Sequence, residues 1–328
     1  MGSSTSCVAK HEENEVAGAP NITNEVHIKS LLVATDFTPA SEKALLYGLS
    51  IARYYGCKLY LMHVVSPAAL SIAGPEAIAK ANVLAFRRAS LTERRLITAG
   101  VLRDVRHRVI IHQGDIWTEL QAEIRDHGID LLIVGTHGRG LKRLVLGSVA
   151  EQIFRHSCCG VLTVGPCSPD DAWAAPEGTP GPLLFATDFS EASLAALPYA
   201  VSLANHLSTK LVLLHMLPAI PEAENNCWYG AIDVAQIRAA AEAAPRKRLQ
   251  DLIANIRFAV EPELVIGFDE PAGAILRAAQ SLRAVIVIMG LGYKSHIEIM
   301  SHLPWSTAYE VVCGAECPVL TVRTESTP

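Results

Sequence analysis

Residues 131 to 154, LLIVGTHGRGLKRLVLGSVAEQIF, run an apolar segment into a glycine-rich turn and then into a helix opened by Gly147 and Ser148. Gly135, Gly138 and Gly140 allow main-chain amides to come close to an anion. A helix start at Gly147 and Ser148 adds free amides and the positive end of a dipole, which suits a phosphate chain. A structural reading stands beside this one: Ser148 with Glu151 has the form of a capping box, and the glycines relieve a tight turn. Neither a Walker A lysine after the glycines nor a G-x-G-x-x-G after the first strand is present. His137, Arg139, Lys142 and Arg143 lie in or just past the loop, as phosphate contacts or as the ordinary basic cover of a loop.

Two carboxylates recur in matching places. Asp36 and Asp188 each end an apolar segment reading ATDF, where a carboxylate can accept from a ribose hydroxyl, hold a metal through water, or cap the helix that follows. His63 and His215 recur in LMHVV and LLHML and read as satisfied core histidines. No set of Cys, His and carboxylate residues has metal-ligand spacing. With no Gly-x-Ser-x-Gly and no arguable serine, histidine and acid arrangement, a dedicated hydrolase is not expected.

These residues need elements to hold them, and the chain supplies the same set twice. LLVATDFTPASEKAL (31 to 45) and LLFATDFSEASLAAL (183 to 197) agree at ten of fifteen positions, and VLTVGP (161 to 166) is echoed by VLTVR (319 to 323). Each half reads as five strands alternating with helices. In the first half the strands are expected at 30–35, 58–65, 107–113, 130–135 and 161–165, with helices at 40–54, 74–100, 116–128 and from Ser148 to His156. In the second half strands at 182–187, 210–216, 262–268, 284–290 and 319–322 alternate with helices at 191–206, 230–256, 271–281 and 306–313. Continuously apolar strands each followed by a helix call for a parallel sheet covered on both faces. Both fifth strands end their half, and pairing them would remove two exposed edges.

The expected organisation is therefore α/β. It consists of two Rossmann-like domains, each an open, mostly parallel five-stranded sheet with helices on both faces, paired through their last strands. The divisions fall at 1–27 (a flexible polar lead-in), 28–166, 167–181 (a Pro/Gly-rich linker), 182–323 and a tail at 324–328. A chain of 328 residues with 50% hydrophobic residues can bury two such cores. The net charge of −5, from 28 basic against 33 acidic residues, implies no nucleic-acid surface. No apolar run reaches the roughly 18 residues of a membrane span. Eight cysteines without C-x-x-C pairs read as reduced thiols, and the expected location is cytoplasmic.

With ATDF at both starts, G-T-H-G-R-G followed by V-L-G-S in the first half, and CPVLTVR at the end of the second, the chain resembles the universal stress protein family in its tandem form. The resemblance implies assembly through the last strands and a subgroup that binds ATP. In that subgroup the acid after the first strand meets the ribose, main chain at the end of the second strand meets adenine, and the glycine loop with its Gly-Ser holds the phosphates. Carried over, these positions are Ala34, Thr35 and Asp36; Val64; Gly135, His137 and Gly138; and Gly147, Ser148 and Val149. Mg²⁺ is implied beside the phosphates. The family pattern has nine residues between its glycines, whereas Gly138 and Gly147 enclose eight. The second half departs further, with GLGYKS at 290–295 and Trp305-Ser306 in place of Gly147-Ser148. One nucleotide site per chain is expected, in the first domain, the second serving as its intrachain pseudo-dimer partner. The function so implied is a cytoplasmic stress-response protein that binds ATP and hydrolyses it slowly at most. The alternative is an interaction or scaffold protein of the same fold without nucleotide. A homodimer and an unknown protein partner are left open; neither nucleic acid nor membrane is expected.

Overall fold

A computed structural model describes residues 26–66, 74–100, 102–136, 146–169, 181–220, 234–292 and 307–323. The first half contributes strands β1 (Ser30–Ala34), β2 (Lys58–Val65), β3 (His107–Gln113), β4 (Leu131–Gly135) and β5 (Gly160–Val164). Between them run helices α1 (Pro39–Tyr55), α2 (Gly74–Thr98), α3 (Ile116–His127) and α4 (Ser148–His156). The second half contributes β6 (Leu183–Ala186), β7 (Leu211–Leu217), β8 (Glu263–Phe268), β9 (Ile286–Leu291) and β10 (Val319–Arg323). Its helices are α5 (Glu191–Ala195), α6 (Leu197–His206), α7 (Val234–Ile253), α8 (Pro271–Ser281) and α9 (Thr307–Gly314).

All ten strands form one sheet in the order β3-β2-β1-β4-β5-β10-β9-β6-β7-β8. Within each half every pairing is parallel, and the halves meet where β5 and β10 pair antiparallel, with Leu162 opposite Leu320 and Val161 and Thr163 opposite Thr321 and Val319. This register places a local two-fold relation at the Leu162–Leu320 pair. Two hydroxyls repeat it: Thr163 Oγ1 donates to the Val319 carbonyl at 3.0 Å and Thr321 Oγ1 to the Val161 carbonyl at 3.3 Å. The expected pairing through the last strands is thus present.

Alternate residues of each strand feed opposite cores. Leu31, Val33, Leu162, Phe185 and Leu320 belong to one apolar cluster with the inner faces of α1, α6 and α7. Leu32, Val134, Val161, Leu184 and Val319 belong to the other with α3, α4, α8 and α9. Both clusters run across the seam without a break, which is why the strands read as apolar at every position. Above the seam Tyr55 shares a hydrogen bond of 2.8 Å with Ser202, and Tyr54 stacks on His206. Lys43 of α1 donates to the carbonyls of Pro166 and Ser168, anchoring the chain that leaves β5.

The expected helix at 191–206 is divided instead into α5 and α6, with Ala196 between them. Pro198 is the cause: it has no amide for the Leu194 carbonyl, and its ring crowds the preceding turn. Its counterpart by the repeat, Leu46, lets α1 run unbroken. Expectations for residues 1–25, 170–180 and 324–328 lie outside the described residues. Among the described residues no helix is long and apolar enough to cross a membrane. Six cysteines there are unbridged. Burial pushes the thiols of Cys57 and Cys159 up to about 11 and that of Cys317 to about 12.

Leu320, only 3% exposed, lies on the seam itself. Leu320→Ala is expected to lower unfolding stability by about 2–5 kcal/mol, read from urea denaturation. An unchanged midpoint would mean that the two halves do not depend on this pairing.

Candidate functional site

In each half the chain leaves β1 or β6 in one direction across the sheet and returns to its other side at β4 or β9. Such a reversal opens a crevice at the carboxyl ends of the strands that flank it. In the first half a cleft of about 300 Å³ opens there, at the lower end of the usual range for small-molecule sites.

Its floor is a turn built by side chains. Thr38 caps α1, with a reciprocal bond from Ser41 completing a capping box. Asp36 Oδ1 accepts from the Thr38 amide at 3.0 Å and the Thr38 hydroxyl at 2.5 Å, so the acid braces the capping residue instead of capping the helix itself. Between them Phe37 sits at φ 59°, a left-handed conformation that costs a bulky residue of order 1–3 kcal/mol and persists only when its surroundings enforce it. The enforcing contacts are the Phe37 amide donating to Thr35 Oγ1 at 3.0 Å and the His63 ring 4.7 Å from that of Phe37. His63 Nδ1 lies 2.6 Å from the Thr35 carbonyl. A carbonyl only accepts, so Nδ1 carries a proton and donates in this bond.

The second half repeats the device apart from the reciprocal bond of the capping box, since Ser190 caps α5 by accepting from the Ser193 amide alone. Phe189 has φ 62°, and its ring lies tilted against that of His215 with centroids 4.4 Å apart. His215 Nδ1 meets the Thr187 carbonyl at 2.8 Å, and Asp188 Oδ1 accepts from the Ser190 amide and hydroxyl. The repetition of Asp36 and His63 thus has a structural reason. His215 is buried as expected of a core histidine, whereas His63 also lines the cleft.

The glycines divide by cause. A methyl on Gly135 would lie 3.0 Å from the main chain of Ala40, and on its counterpart Gly290 it would lie 2.1 Å from the Ala192 carbonyl. These two exist so that the first helix can pass close over the end of the strand. Gly147 differs: its φ is −62°, and among the described residues an added methyl would approach nothing nearer than the Thr136 carbonyl at 3.7 Å. It is the N-cap of α4 and makes no side-chain capping bond. The expected Ser148–Glu151 capping box is therefore not formed, because Ser148 is already the first helical residue; Glu151 pairs with Arg155 at 2.8 Å instead. The first amides of an uncapped helix have no intrahelical partner.

Of the site residues expected from sequence, Ala34, Thr35, Asp36, Val64, Gly135, Gly147, Ser148 and Val149 line this one cleft. His137 and Gly138 lie outside the described residues, as do Arg139, Gly140, Lys142, Arg143, Trp305 and Ser306. Sequence reasoning missed the hydroxyls of Thr38, Ser41 and Thr136, and an apolar wall of Met62, Ile116 and Leu120. The T-x-x-S spacing after ATDF could have signalled the first two. The wall had no signal, since Ile116 and Leu120 reach the cleft only through the docking of α3. Asp115 sets that docking as the N-cap, accepting from the Thr118 amide at 2.9 Å and hydroxyl at 2.8 Å. Among the described residues no three His, Cys, Asp or Glu side chains are grouped to hold a metal ion. An apolar wall, a carboxylate with hydroxyls, and free amides at a helix start together suit a ligand with a flat apolar part, a polyhydroxyl part and an anionic end.

Comparison with known proteins gives a consistent result. The universal stress protein family profile matches residues 27–165 and again 181–323. Universal stress protein A homolog 1 of Coxiella burnetii is 30% identical over 155 residues, spanning 42% of this chain and 97% of its own. Universal stress protein YxiE of Bacillus subtilis is 27% identical over 143 residues, spanning 41% of this chain and 97% of its own. A crystal structure of a universal stress protein from Archaeoglobus fulgidus covers 90% of this chain and 96% of its own with a TM-score of 0.62 at 20% identity, which is a likeness of fold.

The cap of α3 gives the cleft wall a pH dependence. The hydrogen bonds from Thr118 hold the Asp115 carboxyl below its ordinary value. A carboxyl depressed by folding adds stability above its unfolded pKa, about 3.9, and loses it as pH falls through the folded value. Asp115→Asn keeps a capping oxygen that does not titrate. Its thermal midpoint is expected to fall less than that of the wild type between pH 6 and pH 3, and parallel falls would show that this cap carries no pH dependence.

Proposed function

The chain belongs to the universal stress protein family, in a tandem form with two such domains in one polypeptide, and from that premise we propose that its first domain binds ATP. Gly147 carries the reading. Neither its backbone nor its packing against the described residues requires glycine, yet it opens the helix whose first residues line the cleft. An absent side chain there is accounted for by close approach of a ligand's anionic end to the amides of Ser148 and Val149. Adenine would lie against Val64 and the wall of Met62, Ile116 and Leu120, and Asp36 would accept from the ribose. Ala34, Thr35 and Gly135 shape the floor, and His137 and Gly138 complete the phosphate loop in this proposal.

Mg²⁺ fits these donors in one way. With one carboxylate, Asp36, and hydroxyls from Thr38 and Ser148, the ion would be held mainly by phosphate oxygens and water, as is usual for Mg²⁺ with nucleotides. When bound it would neutralise phosphate charge. Asp36 Oδ1 is already committed to Thr38, which weakens it as a general base. The role is therefore regulatory, as a stress-response protein, with slow hydrolysis at most. The scaffold reading rests on a different observation: Val83, Leu84, Phe86, Leu91 and Ile97 of α2 are all exposed, a concentration that suits contact with another protein.

Calorimetric titration of nucleotide-stripped protein with ATP and Mg²⁺ tests the proposal, with Gly147→Trp as the variant that copies position 305. The expected result is one site per chain in the wild type and none in the variant, with an unfolding midpoint measured alongside to show that the variant remains folded. Absence of binding by the wild type would set the ATP reading aside in favour of the scaffold.

A further inference from the structure

Helix α2 carries a surface that neither the sheet nor the cleft uses. Its inner side is fixed: Ala85, Ala89 and Leu96 are buried, Asn82 Nδ2 donates to Gln113 Oε1 at 2.7 Å, and His107 Nε2 lies 3.3 Å from Glu93 Oε1. On one flank Arg95 pairs with Glu42 of α1 at 3.0 Å. The helix is thus held in rotation as well as in place. Its outward side exposes Val83, Leu84, Phe86, Leu91 and Ile97, each more than half accessible. Among the described residues the counterpart helix α7 exposes one large apolar side chain, Ile237. Since α2 packs on β2 and β3, and β3 ends the ten-stranded order, the face lies at the far end of the first domain from the seam.

The charges on this face indicate what covers it. At intervals of four and three, Glu76, Lys80, Val83, Arg87, Ser90 and Arg94 run down its middle, all exposed, and residues so spaced share one stripe of a helix. Glu76 and Arg94 are five whole turns apart at 3.6 residues per turn, so they project in the same direction near the two ends of the stripe. A stripe with opposite charges at its two ends is complementary to itself when reversed. Two α2 helices packed antiparallel, about a two-fold axis level with residue 85, place Glu76 of each copy opposite Arg94 of the other. Glu76 also pairs with Lys80 along its own helix at 3.0 Å, an exposed contact that a second partner can share. The same axis sets Lys80 opposite Ser90, lays the Arg87 stem over Val83, and brings Leu84 against Leu84 and Phe86 against Phe86 on its two sides. A bilayer suits a face with an apolar middle, whereas here Arg87 and Arg94 stand in the middle with Leu84, Phe86 and Leu91 beside them.

We propose that this face of α2 is the contact between two copies of the chain, forming a homodimer through their first domains. With no matching face among the described residues of α7, the contact joins like to like and closes at two copies. The dimer does not depend on whether the cleft takes ATP. It assigns the apolar surface behind the scaffold reading to a second copy of this chain.

Sedimentation velocity of the full chain over a concentration series, without nucleotide, tests this. The expected result is a monomer–dimer equilibrium in the wild type and none in Phe86→Asp. Glu76→Arg or Arg94→Glu alone puts like charges opposite each other twice across the axis and is expected to weaken dimerisation roughly tenfold; the double variant is expected to restore it. Unfolding midpoints are measured alongside, and the charge exchange keeps the test decisive should Phe86→Asp prove unstable. A wild type that stays monomeric overturns the proposal, and one that instead floats with anionic vesicles assigns the face to a lipid surface. A dimer that survives Phe86→Asp places the contact elsewhere, and a double variant no better than the single ones overturns the antiparallel register.

Discussion

The antiparallel pairing of β5 with β10 is the constraint on which the rest depends. A five-stranded parallel sheet that ends on its last strand leaves a row of unpaired amides and carbonyls, a standing hazard for association with other chains. Here one edge satisfies the other, and the local two-fold at Leu162 and Leu320 lets both apolar clusters continue from one half into the next. The halves are thereby joined by shared cores as well as by a tether. The two strand-end turns, at Asp36 and Asp188, follow from one duplicated sequence placed by one symmetric junction.

On that symmetric frame the two halves keep the same costly turn and use it differently. The strained phenylalanines, the histidines bonded to the preceding threonine carbonyls and the acids bonded to the capping residues match almost atom for atom. Such agreement shows that these residues first of all build the entry to α1 and α5. A carboxylate or histidine repeated in a duplicated domain is weak evidence for ligand chemistry when its hydrogen bonds are already used. What differs between the halves is more informative. Position 64 is valine where the second half has Met216, and Met216 leans on Gly267, where a methyl would lie 2.6 Å from its Cε. His112, paired by register with Val64, stands where Gly267 pairs with Met216.

Much of this was legible in the sequence because the governing signals are local or repeated. The strand and helix order followed from apolar runs and glycine stops, the duplication from ATDF and VLTV, and the joining of last strands from the need to cover two edges. The failures were also local in cause. The proline that divides α5 from α6 was passed over because the apolar spacing continued through it. The capping box at Ser148 was misplaced by one residue, which exchanged a capped helix for an open one. The glycines of the loop looked alike in sequence, yet Gly135 answers to helix packing and Gly147 to neither packing nor backbone.

The sequence by itself determined the architecture: two copies of a five-stranded α/β unit, the family to which they belong, and the set of residues gathered at the ends of β1, β2 and β4. These are consequences of periodicity and repetition, which act over a few residues at a time. Only the tertiary structure decided which side chains were already spent on structure, which wall α3 supplies, and that Arg323 reaches back across the seam to the Phe154 carbonyl. Those depend on where elements far apart in the chain come to rest. Packing fixes that through contacts no local pattern records.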